Sequence, residues 1–310
     1  MRRKLLLLLL PILALPVSLL ATSPPRAADP PRLWPAVDHA FRDGWTFTPT
    51  FEPTGNAAWF HHWADPLNVE APQQVFRVER RNGAWLEPVA VDIAPGRLVD
   101  FPLVTPDGER LIVSIAERLG SREFDFDLYA VDLPIQQPVE PERLRGDDLN
   151  RAKTPDNARI GVVANELGAR MTDAGVLWFW SEREDATGGR DIFYARSTAD
   201  GFESPQEFAL NTPSRESHPW ISPDGTEIIF TSDRPGTLGE DDLFHARRDG
   251  SGRWTEPCPL PAPINSRFDE ELAGRDPKTG AMLFTSDRPV DGKRGYRIYE
   301  VDWPVRLCSK

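Results

Sequence analysis

The stretch His218–Arg248, HPWISPDGTEIIFTSDRPGTLGEDDLFHARR, reads as three short strands in succession. Pro219–Ser222 alternates and ends in the turn Pro223-Asp224-Gly225. Thr226–Thr231 is a β-branched and aromatic run closed by Ser232-Asp233-Arg234, and Asp242–Arg247 is a third run after a Gly-rich loop. Pro presets φ for a tight turn, Asp accepts local backbone bonds, and Gly takes φ > 0. Two strands around such a turn make a hairpin and a third makes a meander.

The pattern recurs. Asp276-Pro277-Lys278-Thr279-Gly280 precedes Ala281–Thr285, Ser286-Asp287-Arg288 and Arg297-Ile298-Tyr299. Thr105-Pro106-Asp107-Gly108 precedes Leu111–Ser114, Glu117-Arg118 and Asp127-Leu128-Tyr129. Gly175 precedes Leu177–Trp180, Ser181-Glu182-Arg183 and Asp191-Ile192-Phe193, and Pro53-Thr54-Gly55 precedes Ala57–Trp63 and Val75-Phe76. A multi-strand unit repeating every ~40–50 residues is the signature of a propeller. The expected fold is all-β: a β-propeller of five four-stranded antiparallel blades, roughly Gly44–Ile93, Leu98–Arg145, Ala158–Leu210, Ser217–Leu260 and Glu270–Trp303. Gly146–Asn157 reads as a surface insertion, and the 31 prolines and 22 glycines suit many short strands joined by turns.

The last unit stops after its third strand, at Val301-Asp302-Trp303. Near the other end, Leu33-Trp34-Pro35 resembles the start of an outer strand, as Trp85-Leu86-Glu87-Pro88 and Trp254-Thr255-Glu256-Pro257 do. Leu33–Val37 is therefore expected to close the ring by supplying the outer strand of blade five, leaving no open seam. Trp85 and Trp254 are expected to pack between blades.

Ahead of the ring, Arg2-Arg3-Lys4 and the apolar Leu5–Ala21 read as a secretory signal, so residues 1–28 form signal and linker start and 29–310 a single domain. No other stretch is apolar enough to span a membrane. The expected location is periplasmic or secreted, the expected state a monomer. The net charge of −12, more negative still without the leader, argues against nucleic acid or an anionic membrane as partner. Cys258 and Cys308, the only cysteines, are candidates for a disulfide in an oxidising compartment.

Ile221-Ser222-Pro223-Asp224-Gly225, Phe230-Thr231-Ser232-Asp233-Arg234 and Asp242-Leu243-Phe244 together resemble the Pro-Asp, WD-repeat-like unit of the TolB-type propellers, and Phe284–Arg288 repeats it. The resemblance is clearest in blades four and five and weakest in blade one, where Trp63-Ala64-Asp65 stands in place of Ser-Asp-Arg. It implies an extracytoplasmic propeller scaffold. Five units and no preceding domain separate the chain from TolB itself.

The Asp and Arg of each Ser-Asp-Arg are expected to serve structure, Asp on turn N–H groups and Arg bridging to a neighbouring blade. His61-His62 cannot chelate one ion from adjacent strand positions, which face opposite ways. No Gly-x-Ser-x-Gly elbow, P-loop, dinucleotide fingerprint or zinc motif is present, so no catalytic residue, metal ligand or cofactor is assigned. Candidate binding groups for a channel mouth are the acids beside the inner strands, Asp43, Asp100, Glu166, Glu216 and Glu270, together with His218. The expected function is a non-enzymatic scaffold that binds a protein or small-molecule ligand of the cell envelope at the channel face. The alternative is a carbohydrate-active enzyme of glycoside hydrolase type using channel carboxylates, as five-bladed glycosidases do.

Overall fold

The computed structural model describes residues 29–37, 40–41, 43–66, 68, 71, 73–119, 124–136, 139–151 and 165–303. The leader and Cys308 lie outside the described residues.

Five antiparallel sheets follow one another along the chain as the five blades. From the inside outward, blade two runs Val99–Val104, Arg110–Arg118, Phe124–Asp132 and Glu142–Arg143. Blade three runs Glu166–Met171, Val176–Ser181, Asp191–Thr198 and Gln206–Glu207, with Gly201–Phe202 also on its third strand. Blade four runs Glu216–Ile221, Glu227–Ser232, Asp242–Arg247 and Cys258–Pro259. Blade one is built on Trp45–Thr46, Ala57–Trp63, Gln73–Arg81 and Val89–Val91, with two short added pairs at Thr50–Phe51 and Ala84–Trp85.

Blade five is closed by an N-terminal strand, as expected, but at Arg32–Leu33 rather than over Leu33–Val37, whose last three residues form a turn. Its strands Glu270–Arg275, Met282–Ser286 and Arg297–Val301 are joined by Arg32–Leu33, which pairs Arg32 with Glu300 and Leu33 with Tyr299. Trp34 N–H donates to the Ile298 carbonyl at 2.9 Å, one residue beyond the strand proper. The outer strand of blade four begins at Cys258 rather than at Trp254, which makes only an isolated bridge to Arg248. Cys258 is disulfide-bonded.

A small sheet has two faces to cover, and here each face packs on the next blade. The buried apolar residues fall into clusters that straddle neighbouring blades. Leu103, Ile112 and Leu128 meet Leu177, Phe179 and Phe193 between blades two and three. Trp220, Ile229 and Leu243 meet Met282, Phe284 and Tyr299 between four and five. Trp34 closes the seam, 1% exposed, against Phe60, Phe51 and Trp85. Trp85 and Trp254 are half-buried between blades, and each carries a guanidinium at 4.4 Å over its ring, from Arg80 and Arg248.

The Ser-Asp-Arg motifs explain their own repetition. In blade four, Ser232 Oγ and Arg234 Nη2 both donate to Glu216 Oε1 at 2.9 Å. In blade five, Ser286 and Arg288 donate to Glu270 Oε1 at 2.8 and 2.9 Å, and in blade three Ser181 and Arg183 donate to Glu166 Oε1 at 2.9 and 3.1 Å. Each arginine also reaches a carbonyl of the loop entering its blade: Leu149, Leu210 or Ile264. In blade two, Val99 faces Ile115 at the matching position and the clamp is replaced by apolar packing.

A second repeat escapes a motif search. Asn150, Asn211 and Asn265 each hold the third strand of the preceding blade by both backbone groups, at Leu128, Ile192 and Leu243. An amide side chain offers one donor and one acceptor in a plane, so it can stand in for a strand partner there.

Candidate active site in the central channel

Four inner strands carry a register shift near their starts: between Asp100 and Leu103, Leu167 and Arg170, Ser217 and Trp220, and Glu271 and Gly274. A bulge turns the strand and re-aims its side chains. In each, the residue after the first of the pair has positive φ: Phe101 at 48°, Gly168 at 67°, His218 at 50° and Leu272 at 50°. Only Gly168 takes this conformation without steric cost; a Cβ there would stand 2.7 Å from the Trp180 indole nitrogen. The bulge is thus a property of the ring, and what differs between blades is the chemistry it presents.

Blades two and five present carboxylic acids at the matching position, Asp100 and Glu271, each near a histidine. His61 Nε2 lies 3.9 Å from Asp100 Oδ1, and His218 Nδ1 lies 4.0 Å from Glu271 Oε2. His61 Nδ1 accepts from the Phe101 backbone N–H at 3.3 Å, so the ring proton sits on Nε2, toward Asp100. Phe101 lies between the two histidines, with its ring centroid 4.6 Å from His61 and 5.4 Å from His218. Phe47 stacks on His61 at 4.5 Å, and Trp180 meets His218 edge-on at 5.4 Å.

These groups are buried among aromatic rings, and burial sets their protonation. Burial pushes the Asp100 carboxyl up to about 8. Burial also raises Glu271 to about 7, assisted by Asp241 and opposed by Arg190 and by the Tyr296 hydroxyl, which donates to Glu271 Oε1 at 3.3 Å. The same burial lowers His61 to about 3 and His218 well below its ordinary value, with Arg170 adding to both effects. At neutral pH both imidazoles are neutral. The Gln73 amide, turned to satisfy both its ends, donates to the Asp100 carboxyl. Ser114 Oγ and Trp180 Nε1, on the second strands facing this level, are buried without a hydrogen-bond partner.

Of the acids the sequence singles out, only Asp100 joins this buried cluster, together with His218. Glu166, Glu216 and Glu270 are wholly buried in the Ser-Arg clamps. Glu166, Glu216 and Glu270 each open their inner strand. Asp43 is 90% exposed on its side chain, near Lys293. Glu271 stands one residue beyond the acid that the sequence singles out, and the Glu-Glu pair at the start of blade five faces two ways. The sequence gives His61 no metal role, since it cannot share an ion with His62. It does not: His62 turns to Thr46 Oγ1 at 2.9 Å, and His61 enters the channel alone. Among the described residues no group of three or more His, Cys, Asp or Glu side chains could hold a metal ion.

No protein-family model matches the sequence and no curated protein matches it. Among solved structures the chain is similar to a GH43_1 enzyme from Xanthomonas citri, at 13% identity over 90% of this chain and 93% of that one, with a TM-score of 0.55. It is similar to a GH43 β-1,3-galactosidase at 12% identity over 89% and 62%, TM-score 0.55. It is also similar to an exo-β-1,3-galactanase from Clostridium thermocellum at 11% over 86% and 63%, TM-score 0.51. The chain spans 39% of a puromycin hydrolase that it also matches. At these identities the likeness establishes the five-bladed fold. The expectation of a non-enzymatic TolB-like scaffold is corrected: the three structures above with TM-scores over 0.5 are GH43 enzymes and a galactanase, which favours the alternative, and no family model links the chain to TolB.

Proposed function

We propose that this protein is an exported glycoside hydrolase working in its central channel, with Asp100 as general acid and Glu271 as general base. The observation that carries the reading is the buried Asp100 carboxyl and the largely buried Glu271 carboxyl, each beside a neutral buried histidine, on either side of Phe101. Glycoside hydrolysis requires one carboxyl group that arrives protonated and one that arrives ionised. Burial keeps the Asp100 proton on at neutral pH. Glu271 has a hydroxyl donor and the nearby Arg190 to favour its anion. In the reaction Glu271 takes a proton from water as its oxygen attacks the anomeric carbon. Asp100 gives its proton to the departing glycosidic oxygen, so one C–O bond forms and one breaks. Export rests on the Arg2-Arg3-Lys4 start and the apolar Leu5–Ala21 run.

The test is hydrolysis of aryl glycosides, beginning with β-galactosides and extending to α-L-arabinofuranosides and β-xylosides. Activity needs Glu271 ionised and Asp100 protonated, so kcat/KM should rise through about pH 7 and fall through about pH 8. Asp100→Asn and Glu271→Gln should each lower it by roughly a thousandfold or more. A folded protein inactive on the whole series, or an Asp100→Asn variant with unchanged turnover, would sink the proposal.

A further inference from the structure

We infer that the other mouth of the channel is a binding site for an oxyanion, recognised by the guanidinium of Arg170. Three arginines among the described residues are buried: Arg80, Arg170 and Arg183. Arg80 is paired with Asp276 at 2.7 Å and Arg183 with Glu166 at 3.1 Å. Arg170 has no carboxylate partner among the described residues. Its one hydrogen bond is from Nη1 to the carbonyl of its own neighbour, Ala169, at 2.7 Å. A buried cation is costly to leave uncompensated, and proteins ordinarily pair it. Burial lowers Arg170 only to about 10, so it stays charged at neutral pH.

The guanidinium faces a cavity of about 570 Å³ at the turn end of the inner strands, whose rim is formed by the turn prolines Pro53, Pro106, Pro223 and Pro277. That volume falls in the range of small-molecule sites. The acids in its wall do not neutralise Arg170. Glu52 is engaged by Arg77 at 2.8 Å and Asp276 by Arg80, while Asp173 is exposed on the rim, where Arg275 is exposed too. The five N–H donors of an arginine fork suit a carboxylate or a phosphate, and with one donor spent on Ala169 four remain for a ligand. The cavity opens at the opposite end of the inner strands from Asp100 and Glu271; the Arg170 charge is felt as far as His61 and His218, but the anion site does not require the hydrolase reading.

The probes are inorganic phosphate and glucuronate, titrated into the full chain against chloride at constant ionic strength, with melting temperature and calorimetric heat as readouts. Phosphate or glucuronate should raise the melting temperature saturably, and the stronger of the two identifies the preferred group. Arg170→Lys keeps the charge but loses the fork, and should weaken binding roughly tenfold. Arg170→Gln should abolish the response, while Asp100→Asn should keep it. Protection of Arg170 from phenylglyoxal by the bound anion, read by peptide mass spectrometry on the wild-type protein, gives the same answer without a variant. The inference is overturned if neither anion acts beyond chloride, if Arg170→Gln responds like the wild type, or if labelling of Arg170 is indifferent to the anion.

Discussion

Replacing Asp100 by Asn should stabilise this protein, and by an amount that grows with pH. The carboxyl is buried and 6% exposed, and its folded pKa is raised to about 8. In the unfolded chain it titrates near ~3.9. Between those values the folded protein holds a proton that the unfolded chain has released. Wild-type stability therefore falls through this window, by about 1.4 kcal/mol per pH unit, and levels off above it. Below the unfolded pKa both states are protonated and the group contributes no pH dependence. Asparagine has nothing to titrate and keeps an oxygen to accept from Gln73. Groups common to both proteins cancel in the difference. The Asn variant should thus match the wild type within about 1 kcal/mol near pH 4, and exceed it by about 4 kcal/mol more near pH 8 than near pH 5. Urea unfolding followed by tryptophan fluorescence at those pH values measures the gap. A gap independent of pH, or an Asn variant less stable near pH 8, would refute the burial argument and with it the assignment of Asp100 as a proton-holding acid.

The clamps make a second prediction: Arg234→Met leaves the wholly buried Glu216 without its ion-pair partner and should cost about 3–5 kcal/mol in urea unfolding, whereas the same change at the exposed Arg253 should cost under ~0.5 kcal/mol. Deleting residues through Val37 removes both the strand that pairs with Arg297–Val301 and the seam tryptophan Trp34, so the melting temperature should fall sharply and the open blade edge should promote association, measured by size-exclusion chromatography. An unchanged melting temperature would show that the ring does not depend on that strand.

The sequence alone determined the ring, because turn chemistry is local. Pro-Asp-Gly bends the chain wherever it stands, and Gly225 at φ 71° is where the turn needs it. A unit that cannot cover its own two faces must stack on copies of itself, so five repeats and an incomplete last one led to the blades and to closure by Arg32–Leu33. What a strand's acids do was decided by tertiary structure. Glu270 and Glu271 differ by one position, and the pleat sends the first to Ser286 and Arg288 and the second to the channel. The spacing from Glu216 to Ser232 and Arg234 is visible in the chain, but only the closed hairpin shows that they share one oxygen. His61 and Asp100 come from different blades, as do His218 and Glu271, and no local pattern links them. Their pKa values follow from burial by the whole ring. Arg170 is the extreme case. In sequence it is an ordinary arginine near the end of a strand, and its significance lies in the carboxylate that the fold does not bring to it.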